Sequence, residues 1–159
     1  NRFNGCCFIA GTLVLTSLQG DSAAIETFNV GDDVVSYNID TGENYISKIK
    51  RIIVKEYTVD IAEVVFDNGS SLTMNAYHPI YTSNGFHSIT NYNGYEELVV
   101  GDIVKTIDGW TTITEIKRYQ SEPITTYNLD VIDADESPDD NANDTYYANG
   151  IVVHNPACN

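Results

Sequence analysis

Apolar and polar residues alternate along much of this chain, which predicts short β-strands. The alternation is clearest over Ser47 to Val54, and the stretches 12–18 and 59–66 are rich in residues that favour strands. Turn signals recur between such stretches, at residues 40–42, 67–69, 93–94, 108–109 and 149–150. A single helical turn or a loop is predicted only at residues 22–28, because no segment keeps a helical period over three turns. The pattern therefore predicts an all-β fold.

An internal repeat supports this prediction. The sequence VGDDV at residues 30–34 recurs as VGDIV at residues 100–104. The sequence KIKRI at residues 48–52 is answered in the same order by EIKRY at residues 115–119. Two similar halves of this kind predict a duplicated all-β unit.

The composition of the chain limits the kinds of partner that it is expected to bind. A chain of 159 residues with 42% hydrophobic content fits one domain, and no apolar run approaches the roughly 20 residues that span a bilayer. With 23 acidic and 8 basic residues, the net charge of −15 repels phosphate backbones, so nucleic acid is not expected as a partner. We expect a monomer without a membrane partner. Cys6, Cys7 and Cys158 form neither a disulfide framework nor a zinc-binding spacing.

Cys7 is the first residue that suggests chemistry. Its thiol can attack the carbonyl of the preceding residue through a five-membered ring, which moves the acyl group from nitrogen to sulfur. Such a shift needs a distorted amide and a proton for the departing nitrogen. The alternative is that Cys7 is simply a small buried apolar residue.

The second reactive element is the pair His154-Asn155 near the other end. The Asn155 amide nitrogen can attack its own main-chain carbonyl, closing a succinimide and releasing Pro156, with His154 assisting the proton transfer. Ordinary asparagine deamidation uses the N–H of the next residue, and proline has none. Succinimide formation at Asn155 can therefore proceed only by cutting the chain.

Three motifs stand in order along the chain. They are CFIAGT at residues 7–12, NAYHP at residues 75–79 and NGIVVHN at residues 149–155. Together they resemble the hedgehog/intein (Hint) superfamily and, within it, the bacterial intein-like domains. The resemblance covers residues 7–155 and implies a pseudo-two-fold β horseshoe with both ends in a central cleft. It also implies that residues 1–6 and 156–159 are flanks of a host protein.

The resemblance implies roles for individual residues. Cys7 is expected to be the nucleophile and His78 the acid that protonates its leaving nitrogen, while Asn75 stands where the family usually has threonine. Asp130, in the sequence YNLDV, is implied as an assistant that tunes the Cys7 thiol. The alternative for Asp130 is a solvated residue at a strand end, and His87 lacks any motif and is expected to be structural.

Pro156 departs from the splicing inteins, which carry Cys, Ser or Thr directly after the terminal Asn. We therefore expect cleavage at both ends with some ligation. The predicted function is a single-turnover, cofactor-free processing of the chain's own flanks. The location stays open, with a secreted or surface bacterial precursor as one alternative.

Other functions remain as alternatives. The segment 133–144 offers many carboxylates, including Asp133, Asp135, Asp139, Asp140 and Asp144, but lacks the spacing of an EF-hand. It is either a solvated loop or a calcium site. An acidic calcium-binding β module for adhesion or display is thus the second hypothesis. A third alternative is a cysteine protease acting in trans, which would need an external peptide pocket. A sterol-transferring activity is disfavoured, because domains with that activity do not need a terminal His-Asn pair.

Overall fold

The computed structural model describes residues 7–90, 94–132 and 144–154, which form an almost purely β structure. The strands are β1 (Phe8–Ile9), β2 (Leu13–Leu15), β3 (Ser22–Ala24), β4 (Asp33–Asn38), β5 (Glu43–Phe66), β6 (Ser71–Asn75), β7 (Ile80–Thr82), β8 (Gly85–Ser88), β9 (Glu96–Glu97), β10 (Ile103–Lys105), β11 (Trp110–Val131), β12 (Thr145–Ala148) and β13 (Ile151–His154). A 3₁₀ turn covers Ile25–Thr27. The all-β prediction is confirmed, and none of the described segments is a helix able to cross a membrane.

Two long strands, β5 and β11, hold the molecule together. They pair antiparallel from Phe66 opposite Ile113 to Ile49 opposite Val131, with irregularities that include one between Gln120 and Ile124. The two separate strands predicted at 47–54 and 59–66 are thus one strand, because pairing with β11 continues through the residues between them. A local pattern cannot report such pairing.

The strand predicted over residues 12–18 is shorter than expected. It ends at Leu15, since the next residues turn back towards β3. The Ser17 hydroxyl accepts hydrogen bonds from the backbone N–H groups of Gln19 and Asp21, at 3.3 and 3.2 Å. A serine side chain that binds nearby backbone in this way favours a turn over a strand.

The predicted internal duplication appears as two matching turns. Asp32 donates its N–H to the Asn29 carbonyl and accepts the Asn29 N–H on its carboxylate, at 3.1 and 2.8 Å. Asp102 makes the same pair of bonds to Val99, at 3.1 and 3.0 Å. In both halves the carbonyl of this Asp accepts an isoleucine N–H from the following long strand. The repeated sequence therefore encodes a repeated backbone geometry.

Strand β1 lies in the interior of the sheet, between β6 and β11. Phe8 is opposite Met74 on one side and Tyr127 on the other. Phe8 has no exposed surface and packs in the main core with residues such as Leu129 and Tyr146. Full burial of a side chain of this size stabilises a fold by about 1.5–3 kcal/mol. The opening motif is therefore anchored to the core by the residue that follows Cys7.

Candidate functional site

Cys7 is fully buried immediately before β1. Its carbonyl oxygen accepts a hydrogen bond from the Asn75 N–H at 2.9 Å, at the end of β6. This bond extends the β1–β6 pairing by one residue and fixes the backbone beside the thiol. The structure thus joins the first and second of the three motifs directly.

The surroundings of Cys7 keep its thiol protonated. Burial raises the pKa of Cys7 from 9.0 to about 12, while a hydrogen bond from Thr126 and the positive charge of Lys55 act in the opposite direction. The Thr126 hydroxyl also shares a hydrogen bond of 2.8 Å with the Thr58 hydroxyl. At neutral pH the group that would attack is therefore a thiol that must lose its proton during the reaction.

The loop from Asn75 to Pro79 presents His78 to the site. The Asn75 side chain shapes the loop, accepting the Tyr77 N–H at 2.9 Å and donating to the Asp60 carbonyl at 3.0 Å. The His78 N–H donates to the Asn75 carbonyl at 3.1 Å, which closes the turn. The His78 ring is fully buried, with its centroid 4.1 Å from that of Phe8. The opening motif and His78 are therefore in direct contact.

His154 ends β13 on the other side of this loop. Its N–H donates to the Pro79 carbonyl at 3.2 Å, immediately after His78 in the chain. Its ring is buried against Phe86, with centroids 4.8 Å apart, and Tyr95 lies further off at 6.4 Å. The closing hairpin thus brings His154 to the loop that carries His78. Asn155, the predicted nucleophile, lies outside the described residues.

The turn of the closing hairpin is pinned by Asn149. Its side-chain oxygen accepts the Leu13 N–H at 2.7 Å, its amide donates to the Ser71 carbonyl at 2.8 Å, and its own N–H donates to the Leu13 carbonyl. Asn149 has a φ of 48°, and within the described ranges no other non-glycine residue has a positive φ. Asn149 therefore ties the hairpin to β2 and β6 together.

Sequence reasoning missed Tyr146, which lies near Cys7, and Asn128, to which Tyr146 is hydrogen-bonded. The Asn128 side-chain oxygen accepts the Tyr146 hydroxyl at 2.5 Å and the Leu129 N–H at 2.9 Å. Both side chains have no exposed surface, and burial followed by the nearby Cys7 raises the pKa of Tyr146. Strand alternation could have pointed to Asn128, because it places Asn128 on the same face of β11 as Thr126, whose hydroxyl binds the Cys7 thiol.

Asp130, the residue predicted to tune the thiol, makes contacts elsewhere. Its carboxylate lies 3.3 Å from Arg51 Nε and 4.0 Å from Lys50 Nζ, and 16% of its side chain is exposed. These contacts fit the strand-end alternative, and the tuning role stays a prediction.

The remaining predictions concern metals and His87. Asp133, Asp135, Asp139 and Asp140 lie outside the described residues, and Asp144 is buried just before β12. In the part of the chain that the structure describes, no cluster of three or more His, Cys, Asp or Glu side chains has a metal-binding arrangement.

His87, which the sequence predicted to be structural, is buried. Its ring contacts Glu96 at 4.0 Å and Asp102 at 3.1 Å, and Asp102 belongs to one of the two matching turns of the duplicated unit.

Comparison with known proteins defines the class. A bacterial intein-like domain from Clostridium thermocellum is similar at 28% identity with a TM-score of 0.74, covering 94% of this chain and 98% of that one. A DnaB intein from Synechocystis sp. PCC 6803 is similar in fold at 16% identity with a TM-score of 0.72 and the same coverages. The zinc-bound Msm DnaB1 intein splicing domain matches at 18% identity and a TM-score of 0.65, covering 93% and 99%. No curated protein sequence matches. The fold is that of a Hint domain.

The sequence assigns the family within this class. Residues 13–156 match the family described as the pretoxin Hint domain. The chain belongs to this family. The Hint and intein fold supports autocatalytic protein processing or splicing, and such domains act within their host precursor.

Proposed function

We propose that residues 7–155 form a domain that cleaves its own chain at both ends, with 1–6 and 156–159 as flanks of the host protein. The first step is attack of the Cys7 sulfur on the carbonyl carbon of Cys6. A carbon–sulfur bond forms, the carbon–nitrogen bond breaks, and the thiol proton ends on the freed amine of Cys7. Water or an added thiol then releases the upstream flank.

His78 supplies the proton transfer in this step. Its ring is buried against Phe8, the residue that follows the nucleophile, with 4.1 Å between the ring centroids. An imidazole exchanges protons near neutral pH without a fixed charge, which suits transfer from sulfur to nitrogen. Asn75 supports the geometry by holding the Cys7 carbonyl with its backbone N–H.

The second step is cyclisation of Asn155. Its side-chain nitrogen attacks its own main-chain carbonyl carbon, the bond to the Pro156 nitrogen breaks, and the proton lost by the amide passes to that nitrogen. His154 assists, since its backbone is fixed by the bond to Pro79 and its ring is packed against Phe86. Neither step requires a cofactor. Calcium binding by the acidic segment 133–144 remains a separate hypothesis, and neither step depends on it.

One observation supports this proposal above all others. Cys7, His78 and His154 come from the three separate motifs, yet each contacts the single loop from Asn75 to Pro79 or belongs to it. A cysteine protease acting in trans is disfavoured, because Cys7 has no exposed surface and an external peptide would have to reach it.

Pro156 favours cleavage over ligation. Ligation needs a side-chain nucleophile directly after Asn155, which proline lacks. Replacing Pro156 by Cys should shift the products towards ligation of the two flanks.

A precursor with a different tag at each end tests the proposal. Mass spectrometry over time should show loss of both tags, and hydroxylamine should accelerate loss of the upstream tag because it attacks a thioester. Cys7→Ala should abolish that acceleration, while Asn155→Ala should retain the downstream tag and still permit upstream release. If Cys6→Ala stops upstream release and Cys7→Ala does not, the nucleophile is assigned to the wrong residue. A precursor that stays intact would reject the function.

A further inference from the structure

We infer that Asn128 is a further catalytic residue, whose side-chain amide stabilises the oxyanion formed when Cys7 attacks the carbonyl of the preceding residue. The inference rests on the proposed function, because it concerns the N-terminal step of that reaction. It assigns a role to a side chain that carries no charge and belongs to none of the three motifs. Three properties of Asn128 lead to it.

The first property is a fixed orientation. The Asn128 oxygen accepts two hydrogen bonds, from the Tyr146 hydroxyl and from the Leu129 N–H. The backbone N–H of Leu129 can only donate, so it determines which side of the amide carries the oxygen, whereas the Tyr146 hydroxyl could also accept. Flipping the amide would set its NH₂ group against the Leu129 N–H, with two donors facing each other. The nitrogen therefore points away from Tyr146 and Leu129.

The second property is an unused donor. The Asn128 Nδ2 atom is buried and has no hydrogen-bond partner among the residues that the structure describes. Leaving a buried donor unpaired costs free energy, and native folds rarely do so without a reason. The same side chain has its acceptor doubly occupied, so its polar groups are not poorly placed in general. The unpaired N–H is available to an acceptor that appears during a reaction.

The third property is position. Strand β1 pairs with β11 so that Phe8 is opposite Tyr127, and one further residue along this antiparallel register brings Cys7 opposite Asn128. The hydroxyl of Thr126, two residues earlier on the same face of β11, already binds the Cys7 thiol. One face of β11 therefore carries two donors with separate acceptors. Thr126 binds the Cys7 sulfur, and Asn128 would bind the oxygen of the preceding carbonyl.

Formation of a tetrahedral intermediate creates the charge that Asn128 would meet. As the Cys7 sulfur bonds to the carbonyl carbon, the carbonyl π electrons move onto the oxygen. Collapse of the intermediate returns these electrons, breaks the carbon–nitrogen bond and leaves the thioester and a free amine. A buried, pre-oriented N–H lowers the barrier because it needs no reorganisation when the charge forms.

The test uses the doubly tagged precursor and Asn128→Leu, which keeps a similar volume but removes the donor. Hydroxylamine-dependent release of the upstream tag should slow about 10²- to 10³-fold, as for other single oxyanion donors. Release of the downstream tag in the same molecules reports folding, because it uses Asn155 and His154. Upstream release at the original rate from Asn128→Leu would overturn the inference.

Asn128→Asp provides a second readout, in which the upstream rate is divided by the downstream rate of the same molecules so that any loss of folding cancels. An ionised carboxylate cannot donate, whereas a protonated one can, so the ratio of variant to original rate should rise as the pH falls from 8 to 5. A ratio that stays constant across this range would contradict the donor role. Tyr146→Phe should slow upstream release less than Asn128→Leu does, since the Leu129 N–H still holds the amide oxygen.

The thioester step and the role of Asn128 in it can be rejected separately. If the original precursor shows no hydroxylamine-dependent release, the thioester step itself is wrong. If the original precursor shows that release, Cys7→Ala abolishes it and Asn128→Leu leaves it unchanged, only the role of Asn128 is wrong.

Discussion

The backbone N–H of His154 donates to the carbonyl oxygen of Pro79, with 3.2 Å between nitrogen and oxygen. At the other end of the same loop, the N–H of Asn75 donates to the Cys7 carbonyl at 2.9 Å. One five-residue loop is therefore held at its first residue by the start of the domain and at its last residue by the end of it. His78 lies between these two anchors.

This arrangement predicts that the two histidines serve different cuts. His78→Ala should slow upstream release about 10²- to 10⁴-fold, and His154→Ala should slow downstream release by a similar factor, because each loses a positioned acid–base group. The measurement is the rate of loss of each tag from the doubly tagged precursor. His87→Gln is the matched control and should leave both rates unchanged. Equal effects of His78→Ala on both cuts would argue against separate roles.

The buried thiol predicts a loss of stability at alkaline pH. The folded state raises the pKa of Cys7 from 9.0 to about 12, so above pH 9 the unfolded chain releases a proton that the folded chain keeps. The free energy of unfolding should therefore fall as the pH rises from about 9 towards 12. The slope from this group approaches about 1.4 kcal/mol per pH unit.

Urea unfolding at several pH values measures this effect in an Asn155→Ala background. Adding Cys7→Ser removes the titrating thiol, so the stability of that variant should decline less steeply. Burial, the larger cause of the raised pKa of Tyr146, is the same in both proteins, so most of the difference between the two pH dependences comes from Cys7. Parallel pH dependences would show that the thiol ionises equally well in the folded state.

The hairpin turn predicts an unusual sensitivity at Asn149. Asn149→Ala should lower the free energy of unfolding by about 2–3 kcal/mol, from two lost side-chain hydrogen bonds and the strain of a positive φ. Asn149→Gly should cost about 1–2 kcal/mol, because glycine accepts that φ but makes no side-chain bonds. Chemical denaturation in an Asn155→Ala background gives both values.

Asn84 supplies the control for this prediction. It also precedes a glycine in a hairpin, between β7 and β8, but its side chain is exposed. Asn84→Ala should change stability by less than about 0.5 kcal/mol. A similar cost at both positions would mean that the Asn149 bonds contribute little.

The last prediction concerns the alternative that the acidic segment 133–144 is a calcium site and not a solvated loop. Millimolar calcium should then raise the melting temperature, since a ligand that binds only the folded state stabilises it by mass action. Replacing Asp139 and Asp140 together by Asn should reduce the rise. Melting and backbone NMR shifts that do not respond to millimolar calcium would support the solvated loop.

The sequence predicted the features that are local. Strand alternation and turn residues indicated the all-β fold, and the repeated VGD sequence indicated a duplicated unit, which the structure shows as matching turns at Asp32 and Asp102. The extent of β5 could not be predicted, because it depends on pairing with β11. That partner begins more than 40 residues after β5 ends, beyond the reach of any local pattern.

Asn128 shows the same limit within the site. The family resemblance implied Asp130 on this strand as an assistant of the Cys7 thiol, with a solvated strand end as the alternative. Alternation allows both residues to share a face, but it does not reveal that Arg51 and Lys50 engage Asp130. The bond between Tyr146 and Asn128 forms only when β12 packs against the core, so the chain alone does not indicate an oriented amide.

The loop that joins both ends has a consequence for the host protein. A domain whose chain enters and leaves at neighbouring points can sit inside another protein as a guest without pulling the host apart. The two host segments then stay close together until a bond breaks, at an effective concentration in the millimolar range typical of short tethers. Under the proposed function, proline at position 156 offers no side-chain nucleophile to exploit this proximity, so cutting would separate the two host segments.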